Sequence, residues 1–190
     1  IYITMGHSLK QTLVYTLIKR LMDLQRTAPI TDGVIRFSHK EVISILKHPL
    51  LSGLMSESDN EIIHEIAKTN LIWVPPDRFV RSEYLFRIFI KPLTPASLSG
   101  YFKDILSLIV SNDEKNSIGS ENNPVQRNVI NEFIYRVVLS INRLEAIVDS
   151  PDISFTTDTY IRILDRMLRI QSVPFSGEPL SGIQIMGILE

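Results

Sequence analysis

Ile1-Tyr2-Ile3-Thr4-Met5-Gly6 opens the chain and Ile183-Gln184-Ile185-Met186-Gly187-Ile188-Leu189-Glu190 closes it. Both are short, apolar, strand-like runs, and almost everything between them reads as helix. An unpaired strand edge invites association with other chains. Two such runs flanking a helical chain therefore need a sheet to belong to. The expectation is one mainly α, multi-helix domain over residues 1–190, a fragment of a larger protein. Segments 1–6 and 182–190 would be strand stubs of the parent's sheet.

Inward from those ends, local signals place the helices. Lys10 to Gln25 is amphipathic, with Leu13, Leu17, Leu21 and Leu24 on one face. Ala28-Pro29 and Asp32-Gly33 break it. Ser38-His39-Lys40-Glu41 has the form of a capping box and predicts a short helix with Val42, Ile45 and Leu46 inward, ending before Pro49. Ser58-Asp59-Asn60-Glu61 has the same form, ahead of Ile62, Ile63 and Ile66. Asn70 to Val74 is β-branched and predicts a short extended segment carrying Trp73, stopped by Pro75-Pro76. Ser82 is placed to cap a helix containing Leu85, Phe86 and Phe89.

Thr94-Pro95 combines an N-cap residue with proline at the first helical position, and predicts a helix to about Val110. Asn112 to Asn123 is polar and reads as a loop. Asn123-Pro124 opens the longest predicted helix, to about Val148. Val125, Val129, Phe133, Val137 and Ile141 form one stripe beside Ile130, Ile134 and Val138, the width expected of a helix packed on two sides. Thr157 is taken as the cap of the last helix, with Ile161, Leu164 and Leu168 inward and Arg162, Arg166 and Arg169 outward. Pro174 to Pro179 reads as a tight loop into the final strand.

Bulk properties exclude several function classes. The net charge of -1 gives no global field to recruit nucleic acid. Charge is uneven, however: residues 1–50 and 71–103 are net basic, whereas 51–70 and 104–124 are net acidic. The absence of cysteine removes disulfides and thiolate metal sites and suits a reducing cytoplasm. No secretory signal pattern is present, and the apolar runs are too short to span a bilayer.

Catalytic motifs are tested and set aside. No glycine-rich stretch fits GxxxxGK[ST] or GxGxxG, so this chain alone is not expected to hydrolyse ATP. His64-Glu65-Ile66-Ala67-Lys68 has lysine where a zinc-protease helix needs its second histidine. His7, His39, His48 and His64 otherwise lack ligand spacing and read as surface or cap residues. Pro76-Asp77 with Asp113-Glu114-Lys115 formally matches a PD…DxK nuclease signature. That chemistry needs its acids and lysine on adjacent strands around a metal, whereas here they read as solvated loop charges. No GxSxG or comparable nucleophile arrangement occurs.

Two basic groups remain. Arg36, Lys40, Lys47 and His48 surround the first capping box, with Lys40 and Lys47 on one helix face. Arg78, Arg81, Arg87 and Lys91 form the second, near Trp73 and Phe79. Each group reads either as a solvated helix face or as a set of DNA phosphate contacts. Trp73 and Phe79 read either as core packing or as stacking platforms.

At its two ends the chain resembles a known family. Ile3-Thr4-Met5-Gly6-His7-Ser8-Leu9-Lys10-Gln11-Thr12 resembles the strand and turn entering the 2B-type insertion of bacterial AddB-like helicase–nuclease subunits, relatives of the UvrD/RecB-like superfamily 1 helicases. Phe37 to Val42, running on to Leu46-Lys47-His48-Pro49-Leu50, is similar to a helix of that insertion. Pro174 to Glu190, especially Gly182 to Glu190, resembles the strand re-entering the 2A-type RecA-like domain towards motif V. The middle, roughly Glu57 to Asp158, matches only as a helical region. Gly187-Ile188 stands where active motors carry a Thr/Ser-x-His element, which resembles a degenerate helicase fold more than a translocating one.

The resemblance implies a non-catalytic accessory domain of a double-strand-break-processing helicase–nuclease in homologous recombination and DNA repair. The parent would be an ATP- and Mg-dependent helicase/exodeoxyribonuclease, with its phosphate loop and nuclease domain outside this segment. The implied partners are non-specific DNA, the remaining domains of the parent and a helicase–nuclease partner subunit, with no membrane. The DNA-binding candidates are Arg36, Lys40, Lys47, Arg78 and Arg81; no catalytic or metal residue is assigned. The alternative is a helical protein–protein interaction module with no DNA contact.

Overall fold

Thr12 sets the frame of the molecule. Its hydroxyl donates to the Leu9 carbonyl at 2.7 Å and accepts from the Tyr15 amide at 3.2 Å, fixing the start of helix α1, Leu13–Thr27. The computed structural model describes residues 7–31, 33–69, 71–116, 124–148 and 155–173. The strand stubs expected at 1–6 and 182–190, and the loop expected at Pro174 to Pro179, lie outside the described residues.

The described part is mainly helical, with three two-stranded ladders. β1 (His7–Ser8) leads through a 3-10 turn, Leu9–Gln11, into α1. β2 (Ile30–Thr31) and β3 (Val34–Ile35) form a hairpin around Asp32-Gly33, where Gly33 has φ +76°, the left-handed region that favours glycine. β4 (Phe37–Ser38) runs into α2 (His39–Leu46), then α3 (Pro49–Ser52) and α4 (Glu57–Lys68). β5 (Trp73–Val74) returns to pair antiparallel with β4, Phe37 opposite Val74 and Ser38 opposite Trp73. A 3-10 turn, Pro76–Phe79, and α5 (Glu83–Ile88) follow, then α6 (Pro95–Asn116), α7 (Pro124–Val148) and α8 (Thr157–Arg169). β6 (Ser172–Val173) closes on β1, His7 opposite Val173 and Ser8 opposite Ser172, and the Leu9 amide bonds the Gln171 carbonyl at 3.0 Å.

α1 is the hub of the core. Leu17, Ile18, Leu21, Met22 and Leu24 have no exposed surface, and the helix packs on α2 and α3 as well as on α7 and α8. α7 in turn packs on α6 and α8, the two-sided packing its wide apolar face predicts. Phe79 stacks on Phe89 with ring centroids 4.0 Å apart, and Phe37 meets the same Phe89 at 5.8 Å. Tyr160 and Ser99 are both fully buried and share a hydrogen bond of 2.7 Å between α8 and α6. Burial pushes the Tyr160 phenol up to about 12, so it stays protonated and able to donate.

Several boundaries differ from the sequence reading, each for a local reason. α1 starts at Leu13 rather than Lys10, and Leu13 is 46% exposed. Ser38 precedes α2 but makes no side-chain cap bond. The His39 amide, at the first helical position, bonds the Ile72 carbonyl at 3.0 Å, an extension of the β4–β5 ladder. The α4 box is formed two residues earlier than read, by Ser56 and Asp59, with the Asp59 carboxylate accepting from the Ser56 amide at 2.8 Å. α8 is capped by Thr156, whose hydroxyl accepts from the Thr159 amide at 3.1 Å, not by Thr157. α6 continues to Asn116, through half of the segment read as a loop; residues 117–123 lie outside the described residues. Val129, read as part of the apolar stripe of α7, is 41% exposed.

Candidate functional site

The close packing of α1 on α2 creates a concave site beside His48. An open groove of about 530 Å³ runs between them. Arg20 reaches it from α1, and Lys40 and Lys47 from α2 and its C-terminal cap. Ile43 and Pro49 give it an apolar lining. The three cations are exposed and make no ion pair or side-chain hydrogen bond among the described residues. No Asp or Glu is among the groove's lining residues. The groove's lining is therefore cationic, although the chain as a whole is nearly neutral.

His48 is built into one wall rather than offered to solvent. It is 4% exposed. Its Nδ1 accepts the Leu50 amide at 3.3 Å, capping α3, and its Nε2 lies 3.1 Å from Thr16 Oγ1 on α1. An accepting Nδ1 leaves the proton on Nε2, which donates to Thr16. The Thr16 hydroxyl in turn donates to the Leu13 carbonyl at 2.8 Å. Burial, followed by the charge of Arg20, lowers the imidazole pKa to about 4. The groove's positive charge at neutral pH thus comes from Arg20, Lys40 and Lys47.

The remaining sequence candidates are distributed differently. Arg36 is exposed just before β4, and its side chain has no partner among the described residues. Arg78 sits in the 3-10 turn and is paired to Glu65 of α4 at 2.5 Å. Arg87 is paired to Glu83 at 2.6 Å, and Lys91 donates to the Ala28 carbonyl. Arg81 alone of the second group is exposed and without a partner among the described residues. Phe79 is buried in the aromatic stack, while Trp73 is 41% exposed. The β4–β5 register puts Trp73 opposite Ser38, so it stands beside the start of α2 and the first basic group.

Arg20 is the residue that the sequence reading missed. It belongs to α1, far along the chain from Lys40, and only the α1–α2 packing brings the two to one groove. A smaller cavity of about 150 Å³ lies between α1 and α8, bordered by Gln25, Lys91 and the Arg26–Asp158 ion pair. Among the described residues no cluster of three or more His, Cys, Asp or Glu side chains could hold a metal ion. Asp77 lies in the 3-10 turn and Asp113 within α6, so neither belongs to a strand as the nuclease signature requires. No helix among the described residues is long and apolar enough to cross a membrane.

No protein-family model, curated protein or solved structure shows a significant match to this chain.

Proposed function

We propose that this chain is a non-catalytic, 2B-like accessory domain of a DNA double-strand-break-processing helicase–nuclease, and that it braces DNA and neighbouring domains of the parent during recombinational repair. The observation that carries the DNA-handling part is the unpartnered state of Lys40, Lys47 and Arg36, cations gathered at the start, the end and the approach of α2. Cations left free of carboxylates neutralise phosphates and release condensed counterions, which gives affinity without sequence selectivity. The antiparallel β1–β6 pairing supports the insertion part, since a domain inserted between two parent strands needs entry and exit side by side. In this reading ATP and Mg serve other segments of the parent, and this domain makes no covalent change.

The test is DNA binding by the purified chain as a function of salt. Weak binding that steepens towards low salt is the expected result. Salt-independent binding, or none even at low salt, counts against the reading.

A second reading, a helical protein–protein interaction module, is favoured by the apolar side chains exposed along segment 72–93. Ile72 is 76% exposed, Leu93 67%, Val80 64% and Phe86 50%. Exposed apolar surface of this kind marks contact with another protein. Its signature is salt-insensitive capture of a partner subunit or of the parent's other domains, with no measurable DNA affinity.

A further inference from the structure

We infer that the groove between α1 and α2 is a phosphodiester-binding channel for an unpaired nucleic-acid strand, with Arg20, Lys40 and Lys47 as its phosphate contacts. The inference rests on the DNA-handling reading and deepens it, because it names the strand form and adds Arg20.

Three observations converge. First, the cations reach one concavity from two separate elements, α1 and α2, so a linear polyanion can be held between them rather than touched from one side. Second, no carboxylate lines the groove and none of the three cations has a partner among the described residues, so binding a phosphate breaks no existing ion pair. Third, the groove is concave, about 530 Å³ in volume, with Ile43 and Pro49 in its lining. A duplex presents its phosphates on a convex cylinder and keeps its bases stacked inside. An unpaired strand has a smaller cross-section than a duplex and turns sugar and base faces towards apolar surface such as Ile43 and Pro49.

His48 gives the channel a fixed wall. Its ring joins Thr16 of α1 to the first turn of α3, directly after Lys47. The backbone beside Lys47 is thereby tied to α1 by two part-buried hydrogen bonds.

The test is fluorescence anisotropy with a labelled oligothymidylate and with a blunt duplex of the same length, between about 50 and 200 mM salt. The triple variant Arg20→Gln, Lys40→Gln, Lys47→Gln is compared with a control that removes equal charge elsewhere, Lys68→Gln, Arg143→Gln, Arg166→Gln. All six positions are exposed, and none has an ion pair among the described residues. The wild-type chain is expected to prefer the single strand. The groove variant is expected to bind it about tenfold or more weakly at low salt, with the log–log salt slope reduced by about 2, as three lost single-strand phosphate contacts require. The control is expected to stay within about twofold of wild type, since non-contacting charges enter only through a screened field. Equal losses in both variants, unchanged affinity of the groove variant, or tighter binding of the duplex overturns the channel while leaving DNA handling in place. Failure of the wild-type chain to bind either probe at low salt overturns both.

Discussion

His48 donates from Nε2 to Thr16 Oγ1 across 3.1 Å, and this bond joins α1 to the turn that follows α2. The other ring nitrogen accepts the Leu50 amide, so the neutral imidazole satisfies a donor and an acceptor at once. A protonated ring has two donors and no acceptor. It would face the Leu50 amide with a second N–H and sit near the Arg20 guanidinium.

The first prediction is a specific acid sensitivity. The folded-state pKa of His48 is lowered to about 4, below its ordinary value, so the unfolded chain takes up the proton first. The stability tied to neutral His48 is complete above about pH 6.5 and is lost as pH falls towards 4, on the order of 2–3 kcal/mol. Urea unfolding at a series of pH values should show this loss. His48→Asn keeps a side-chain acceptor for the Leu50 amide and removes the titration, so its stability curve should be flatter over the same interval. Parallel curves for wild type and variant would refute the assignment.

The second prediction separates two leucines of one apparent stripe. Leu21 has no exposed surface in the hub helix, whereas Leu13 is 46% exposed. Leu21→Ala should cost about 2–5 kcal/mol, the transfer term plus the cavity left among α1's neighbours. Leu13→Ala should stay within about 0.5 kcal/mol. Equilibrium denaturation of the two variants decides it, and similar losses would contradict the packing.

The third prediction concerns the α8 cap. Thr156→Ala removes the acceptor for the Thr159 amide and should destabilise by about 1 kcal/mol. Thr157→Ala, one residue into the helix, should cost clearly less. Thermal unfolding of the pair reads the difference directly, and the reverse order would return the cap to Thr157.

What was legible in the sequence follows the range of the signals. Proline at the first helical position gave the starts of α6 and α7, because Thr94-Pro95 and Pro124 act through their own dihedrals and hydrogen bonds. The ion pairs Asp158–Arg162 and Asp165–Arg169 follow from helical spacing and form at 2.8 and 2.9 Å. Where two local solutions existed, the sequence was ambiguous. Ser56 with Asp59 and Ser58 with Glu61 both satisfy the capping pattern, and the earlier one formed.

Long-range bonds were invisible. Ser38 precedes α2 without capping it, and the His39 amide is taken by a carbonyl from Ile72, a partner remote in sequence. The polar residues of 112–116 did not stop α6, since each costs a helix well under about 1 kcal/mol, far less than proline. Asp32-Gly33 between Ile30-Thr31 and Val34-Ile35 is a recognised hairpin signal that could have located β2 and β3. The candidate site was half legible. Lys40 and Lys47 share a face by spacing alone, but Arg20 joins them only through packing, and the engagement of Arg78 with Glu65 depends on how α4 meets the 3-10 turn.

The β1–β6 ladder has a mechanical consequence. His7 and Val173 form its outermost described rung, so the two chain flanks attach at one rung. Opposed tension on those flanks would open it rung by rung, an unzipping load, and would reach the helices only after the last rung parted.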